Sequence, residues 1–207
     1  GITMKNIDIS KEVLNHFELI DHDPESLDIT YENTQARYRT FILMNMANKY
    51  NGIVLGTGDM SELALGWCTY NGDQMSMYGI NAGMPKTMVR YMTYAYGLFD
   101  FECVNDILTD IIDTPISPEL KPNQTTEATV GKYEINDFIL YRYLFCGDSN
   151  ERAAWLLSLA FEMDIKDATN YVNNFTRRFY TQQFKRSALP EGPKVLSKSL
   201  SPRSGFK

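Results

Sequence analysis

The chain has 207 residues, 43% of them hydrophobic and 22% charged, an ordinary globular composition sufficient for one core and a small extra lobe. No apolar run reaches the ~18 residues that a membrane span needs. Only two histidines and three widely spaced cysteines are present, which argues against a histidine-centred metal cluster or triad, a disulfide framework and a CxxC zinc site.

The N-terminus, Gly1-Ile2-Thr3-Met4, has no initiator Met, basic n-region or apolar h-region. It reads as a chain cut into rather than a secretory signal, and the cysteine usage suits a reducing cytoplasmic setting. Lys5 to Ile9 alternates and predicts a short strand. Ser10 is a candidate N-cap for a helix through Ile20, and a turn follows at His22 to Glu25. Thr30 is a candidate cap for a long helix to about Tyr50, with Ala36, Leu43, Ala47 and Tyr50 on one face; Asn51-Gly52 ends it.

Ile53-Val54-Leu55 lies between glycines and suits a buried parallel strand. The turn Gly56-Thr57-Gly58-Asp59 then leads into a helix from Ser61 to Leu65. In an open parallel sheet, ligands sit beyond the carboxyl ends of strands. A Gly-Thr-Gly turn there lets backbone approach a ligand, and Thr57 offers a hydroxyl. Glu62, one turn into the helix, is either a Mg²⁺ carboxylate or an ordinary helix-start acid.

Residues 66–83 are rich in Gly, Asn and Asp and predict a long loop, of a length that in a compact domain is either functional or disordered. Its Trp67, Tyr70 and Tyr78 either stack on a nucleobase or pyridine ring or pin the loop to the core. Met75, Met77 and Met84 read as packing. Pro85 opens a helix to about Gly97. Lys86 in its first turn opposes the helix dipole, which suits a phosphate ligand, although a solvated lysine has the same pattern.

Residues 121–131 read as disordered, and helices are predicted at about Glu134–Phe145, Asn150–Glu162 and Lys166–Gln183. Glu134 and Asp137 read as solvated acids. Lys185-Arg186 is either a pyrophosphate clamp or a frayed basic helix end. The net charge of −6 is uneven, because residues 177–207 carry eight Lys or Arg against Glu191, a net of +7 beside −13 for the rest. From Ser187 onward low hydrophobicity predicts a mobile tail. It is either a polyanion-binding arm or a solvated one.

These segments resemble the glutamine-dependent NAD synthetases. The resemblance rests on Tyr31 to Arg37 (YENTQAR), Gly56 to Tyr70 (GTGDMSELALGWCTY), Asn71 to Tyr78 (NGDQMSMY), Pro85-Lys86-Thr87, Gln182 to Ala188 (QQFKRSA), Pro190 to Val195 (PEGPKV) and Ser201-Pro202-Arg203. These run collinear with the family over nearly the whole chain. The ammonia-dependent short form has a different, glycine-rich loop after the TYNGD position, so the long form is the better match.

The resemblance implies a fold and a chemistry. The fold is α/β, an incomplete, helix-rich Rossmann-like ATP-pyrophosphatase domain of sheet order 3-2-1-4-5, with Lys5–Ile9 as its third strand and Ile53–Leu55 as its fourth. The chemistry is ATP-dependent amidation of deamido-NAD to NAD through an adenylated intermediate, with glutamine-derived ammonia as the nucleophile. Carried over by position, Thr57, Lys86 and Ser117 contact ATP and Glu62 binds its Mg²⁺. Asn33, Arg37, Trp67, Cys68, Thr69, Tyr70 and Lys185 contact deamido-NAD. Met77 stands where the short form carries an acidic contact. No redox cofactor is implied, since NAD is the product. The YENTQAR helix implies a homo-oligomer, and neither nucleic acid nor membrane is an expected partner.

Two departures shape the expectation. The family's SGGxDS phosphate loop and its glutaminase domain fall upstream of Gly1, and the family's SPRGDWR-like end reads here Ser201-Pro202-Arg203-Ser204-Gly205-Phe206-Lys207. The chain is therefore expected to be an inactive piece of such a synthetase. The alternative is a non-catalytic nucleotide-binding remnant, or one half of a split enzyme with a partner chain. Another ATP-pyrophosphatase amidotransferase, such as a GMP synthetase, is disfavoured because its signatures are missing beside the full TYNGDQMSMY loop.

Overall fold

A computed structural model describes residues 2–117, 120, 126–201 and 203, for Glu127 and Ala128 the backbone alone. The first elements are α1 (Ser10–Leu19) and α2 (Ile29–Tyr50). Ser10 does not cap α1; it is the first helical residue, and its N–H and hydroxyl both donate to Asp8. Asp28, not Thr30, caps α2, its Oδ1 accepting from the amides of Thr30 and Tyr31. A carboxylate at that position meets the helix dipole as well as the orphan amides. Asn51 closes α2 in the left-handed region, and Gly52 N–H donates back to Ala47.

Lys5–Ile9 forms no strand, because no described segment pairs with it and its residues are exposed or half-buried. The expected strand at Ile53–Leu55 shortens to β1 (Leu55–Gly56), parallel to β2 (Tyr78–Gly79) inside the long loop. Ile53 and Leu55 are exposed rather than buried, since no described element covers them. Between the strands lies α3 (Met60–Leu65), whose Met60, Ala64 and Leu65 are fully buried.

Next come α4 (Lys86–Phe99), with Pro85 as its N-cap, a 3₁₀ turn at Glu102–Val104 and α5 (Asn105–Asp113). Of the stretch expected to be disordered, Thr126–Val130 is helical (α6), and residues 121–125 lie outside the described residues. The core is built by α7 (Tyr133–Tyr141), a π turn at Arg142–Cys146, α8 (Asn150–Ala160), α9 (Ile165–Thr181) and α10 (Gln183–Arg186). Ala168, Val172, Phe175 and Phe179 recur at helical spacing on α9 and are all buried. They pack with Leu157 of α8, Ile139 and Leu140 of α7 and the apolar residues of α3. Burying each such Phe or Leu contributes roughly 1.5–3 kcal/mol.

The segment expected to be a mobile tail is packed as far as it is described. Leu189 is 5% exposed and Leu200 2%, both within this core, and Glu191 O accepts from Gly79 N–H at 2.7 Å. Apolar residues spaced 11 apart anchor a strap that mean composition alone hides. The end of the expected tail, 202 and 204–207, lies outside the described residues. No described helix is long and apolar enough to cross a membrane.

Candidate functional site

The α3 helix is the keel of the site. Its N-terminus is a capping box: Asp59 Oδ1 accepts from the amides of Ser61 and Glu62, and Glu62 Oε2 accepts from Asp59 N–H at 3.2 Å. The Asp59-Met60-Ser61-Glu62 spacing carries that signal in the sequence. Lys86 Nζ then sits 2.6 Å from Asp59 Oδ2 and 2.8 Å from Glu62 Oε1, and 5.3 Å from the centroid of the Tyr133 ring. Burial pushes the Glu62 carboxyl up to about 7, reinforced by Asp59 and opposed by Lys86. Burial also works against the Lys86 ammonium, but Glu62 and Asp59 outweigh it and raise its pKa.

Below this triad Asp137 is buried, not solvated as expected. It accepts from Ser61 Oγ, from Thr87 N–H at 2.9 Å and from Thr87 Oγ1 at 2.7 Å. These bonds tie the first turns of α3 and α4 to α7. Glu134, in contrast, is exposed and pairs with Arg90 at 3.3 Å.

At its other end, α3 stops at Gly66 in the left-handed region (φ +59), where an added Cβ would lie 2.2 Å from Gln182 Cβ. Three cations converge on this end. Arg178 Nε donates to Leu65 O at 3.1 Å. Lys185 Nζ donates to Gly66 O at 2.9 Å and Cys68 O at 2.6 Å. Arg186 is buried and donates to Phe179 O at 2.6 Å. It belongs to the core rather than to a pyrophosphate clamp, while Lys185 remains beside the cavity.

A cavity of about 850 Å³ opens between α2, the 54–57 turn, the 66–75 loop, Ser117 and the α9–α10 end. Every residue assigned above to ATP, Mg²⁺ or deamido-NAD lines it except Lys86: Asn33, Arg37, Thr57, Glu62, Trp67, Cys68, Thr69, Tyr70, Ser117 and Lys185. Lys86 joins it through Glu62. Local bonds hold the 66–75 loop in place. Thr69 Oγ1 donates to Asn33 Oδ1 at 2.8 Å, Arg37 Nε to Tyr70 O at 3.2 Å and Thr69 N–H to Asp73 Oδ1 at 2.6 Å. Cys68 Sγ donates to Gln74 Oε1, and burial pushes its thiol up to about 12.

Thr57 is exposed at the mouth of the cavity, and its carbonyl accepts from Asn81 Nδ2 at 3.3 Å. Glu62 is chemically suited to Mg²⁺, but both its oxygens are engaged, one by Lys86 and one by Asp59 N–H. Among the described residues no cluster of three or more His, Cys, Asp or Glu forms a metal cage. The sequence placed Asp59 only in a turn, Asp137 among solvated acids and Arg178 only in the basic segment, so none of the three was assigned to the site. Asp137 and Arg178 carry no local motif, because their partners come from other helices.

The NAD synthase family profile matches residues 1–188. The glutamine-dependent NAD(+) synthetase of Mycobacterium leprae is 40% identical across all of this chain and 35% of its own length. That of Acinetobacter baylyi is 30% identical over 84% of this chain and 30% of its own length. The chain thus spans about a third of the length of these relatives. In fold, it matches the crystal structure of a glutamine-dependent NAD(+) synthetase from Cytophaga hutchinsonii with a TM-score of 0.80 at 20% identity, covering 100% of this chain and 33% of that one. The resemblance read from YENTQAR and GTGDMSELALGW thus holds along the sequence and in the fold, and the chain belongs to the NAD synthase family.

Proposed function

We propose that this chain carries the deamido-NAD cavity and part of the MgATP site of a glutamine-dependent NAD synthetase. The supporting observation is the single cavity that gathers residues from Asn33 to Lys185, far apart in sequence, with Thr57 at its mouth and Glu62 on its wall. In the reaction the nicotinate carboxylate attacks the α-phosphorus of ATP and pyrophosphate leaves. Ammonia then attacks the acyl adenylate and AMP leaves. No nucleophilic side chain is needed, in keeping with an inert Cys68.

The residues act by position and charge. Thr57 and Ser117 offer hydroxyls to ATP. Glu62 takes the substrate's Mg²⁺, and Lys86, freed from Glu62, turns to phosphate. The 66–70 segment and Lys185 hold deamido-NAD. The exposed Phe41 and Leu43 of α2 support self-association of the protein. Calorimetric titration of deamido-NAD into the chain tests the binding reading. Saturable binding weakened by Asn33→Ala and Thr69→Val is expected, and absence of saturable binding refutes it.

A further inference from the structure

Arg178 was assigned no role above, yet it lines the same cavity as Lys185 and Trp67. Its guanidinium lies 5.7 Å from the centroid of the Trp67 indole, within the range of a cation–π contact. Its Nε is spent on Leu65 O. The four N–H groups of its two terminal nitrogens have no acceptor among the described residues, and neither Arg178 nor Lys185 forms an ion pair with a described carboxylate. Burial holds both cations below their ordinary pKa, and Arg178 adds to the lowering at Lys185.

Capping the α3 carbonyls explains part of this arrangement. It accounts for Nε of Arg178 and for two of the three ammonium protons of Lys185. It leaves unexplained why a second half-buried cation, open at its bidentate end, is held against an aromatic wall of the cavity. Asp73 on the cavity wall offsets Lys185 through its charge without forming an ion pair with it, and desolvated like charges without a paired counter-ion are costly. An oxyanion seated between them would offset that cost, and a planar guanidinium fork fits one bidentately.

We propose that Arg178 is a ligand-binding residue of this cavity: laid against Trp67, it takes an oxyanion of the bound dinucleotide beside Lys185. The inference rests on the dinucleotide reading above. It adds a contact on α9, outside every segment that carries the family resemblance. The dinucleotide has two kinds of oxyanion, the pyrophosphate and the nicotinate carboxylate, and the test separates them.

Calorimetry would compare deamido-NAD and NAD binding to the wild-type chain, Arg178→Met and Arg178→Lys. Thermal melts and MgATP binding would check the fold. A charge-assisted bidentate contact predicts a loss of about 10- to 100-fold for Arg178→Met, with Arg178→Lys in between because it keeps the charge and loses the fork. Equal losses for both dinucleotides assign the pyrophosphate; a loss confined to deamido-NAD assigns the carboxylate. Wild-type affinity in a folded Arg178→Met overturns the proposal while leaving the dinucleotide reading intact. If Arg178→Met does not fold, wild-type affinity in Arg178→Lys overturns it equally. Failure of the wild-type chain to bind either dinucleotide overturns both.

Discussion

Lys86 Nζ lies 2.8 Å from Glu62 Oε1, so the cation proposed for phosphate and the carboxylate proposed for Mg²⁺ are paired with each other. Asp59 Oδ2, at 2.6 Å, completes a triad of one cation and two acids. Lys86→Met leaves two largely buried carboxylates facing each other. It should destabilise the chain by roughly 3 kcal/mol, the scale of breaking a buried pair. Adding Glu62→Gln removes the repulsion and should recover part of that loss. Urea unfolding of the two single variants and the double variant measures the coupling. Simple additivity would mean that Glu62 and Lys86 do not interact energetically.

Asp137 should prove as important to the fold as Lys86. Asp137→Ala strands three donors, Ser61 Oγ and the amide and hydroxyl of Thr87, at the joint of α3, α4 and α7. A loss of about 2–5 kcal/mol is expected, since several buried donors lose a charged acceptor together. Asp137→Asn, which keeps one acceptor oxygen, should lose less. Equal stability of the alanine variant and wild type in chemical denaturation would contradict the network.

The contrast between these acids shows what the sequence could disclose. Glu62 was legible as a helix-start acid because it lies one turn beyond Gly56-Thr57-Gly58-Asp59, whereas its reciprocal capping bond with Asp59 emerged only in the structure. Asp137 read as a solvated acid because its partners come from α3 and α4, so its burial is a tertiary fact. Helix existence was legible on α9, where Ala168, Val172, Phe175 and Phe179 keep one face. The strands were legible only in part, because a strand needs a partner that local pattern cannot supply: Ile53–Leu55 shrinks to Leu55–Gly56, and Lys5–Ile9 alternates yet pairs with nothing described. The strap was missed for a related reason. Two buried leucines in a polar, Pro- and Gly-containing stretch leave its average composition that of a loose tail.

Cysteine reactivity gives a direct check on the cavity wall. Burial and Asp73 raise the Cys68 thiol to about 12, so at pH 8 only about one thiol in 10⁴ is ionised. Cys103 and Cys146 are exposed. A maleimide at pH 8 should therefore label Cys103 and Cys146 rapidly in the native chain and Cys68 only on unfolding. The native state keeps this proton between pH 9 and 12 while the unfolded chain loses it. Cys68 therefore contributes falling stability as pH rises through that window. Rapid native labelling of Cys68 would show that the 66–75 loop opens.

On α2, Phe41 is 63% exposed and Leu43 52%, large apolar side chains on a helix that also lines the cavity. Phe41→Glu with Leu43→Glu should shift an associating protein toward monomer in light scattering at micromolar concentration, while leaving the melting temperature of the monomer nearly unchanged. A wild-type protein already monomeric under those conditions would refute association through this face.

Residues 190–195 cross the 79–83 loop at backbone contact: a Cβ on Gly192 would lie 2.3 Å from Gly79 O, and one on Gly83 2.4 Å from Pro193 O. Neither obstacle is a flexible side-chain end, so Gly192→Ala must move the strap or the loop, at a cost of about 1–3 kcal/mol. The bond from Gly79 N–H to Glu191 O should break first. The displacement bears on the site, because Ile80 N–H donates to Gly56 O and Asn81 Nδ2 to Thr57 O, so the loop under the strap also holds the Gly-Thr-Gly turn. Hydrogen exchange at the Gly79 amide should accelerate in Gly192→Ala, and trypsin should cut sooner at Lys194 and Lys198. Gly83→Ala should do the same from the opposite side. Because Leu189 and Leu200 still anchor the two ends, the helical core should keep its protection. Wild-type exchange at Gly79 in both variants would show that the strap and the turn are not mechanically joined.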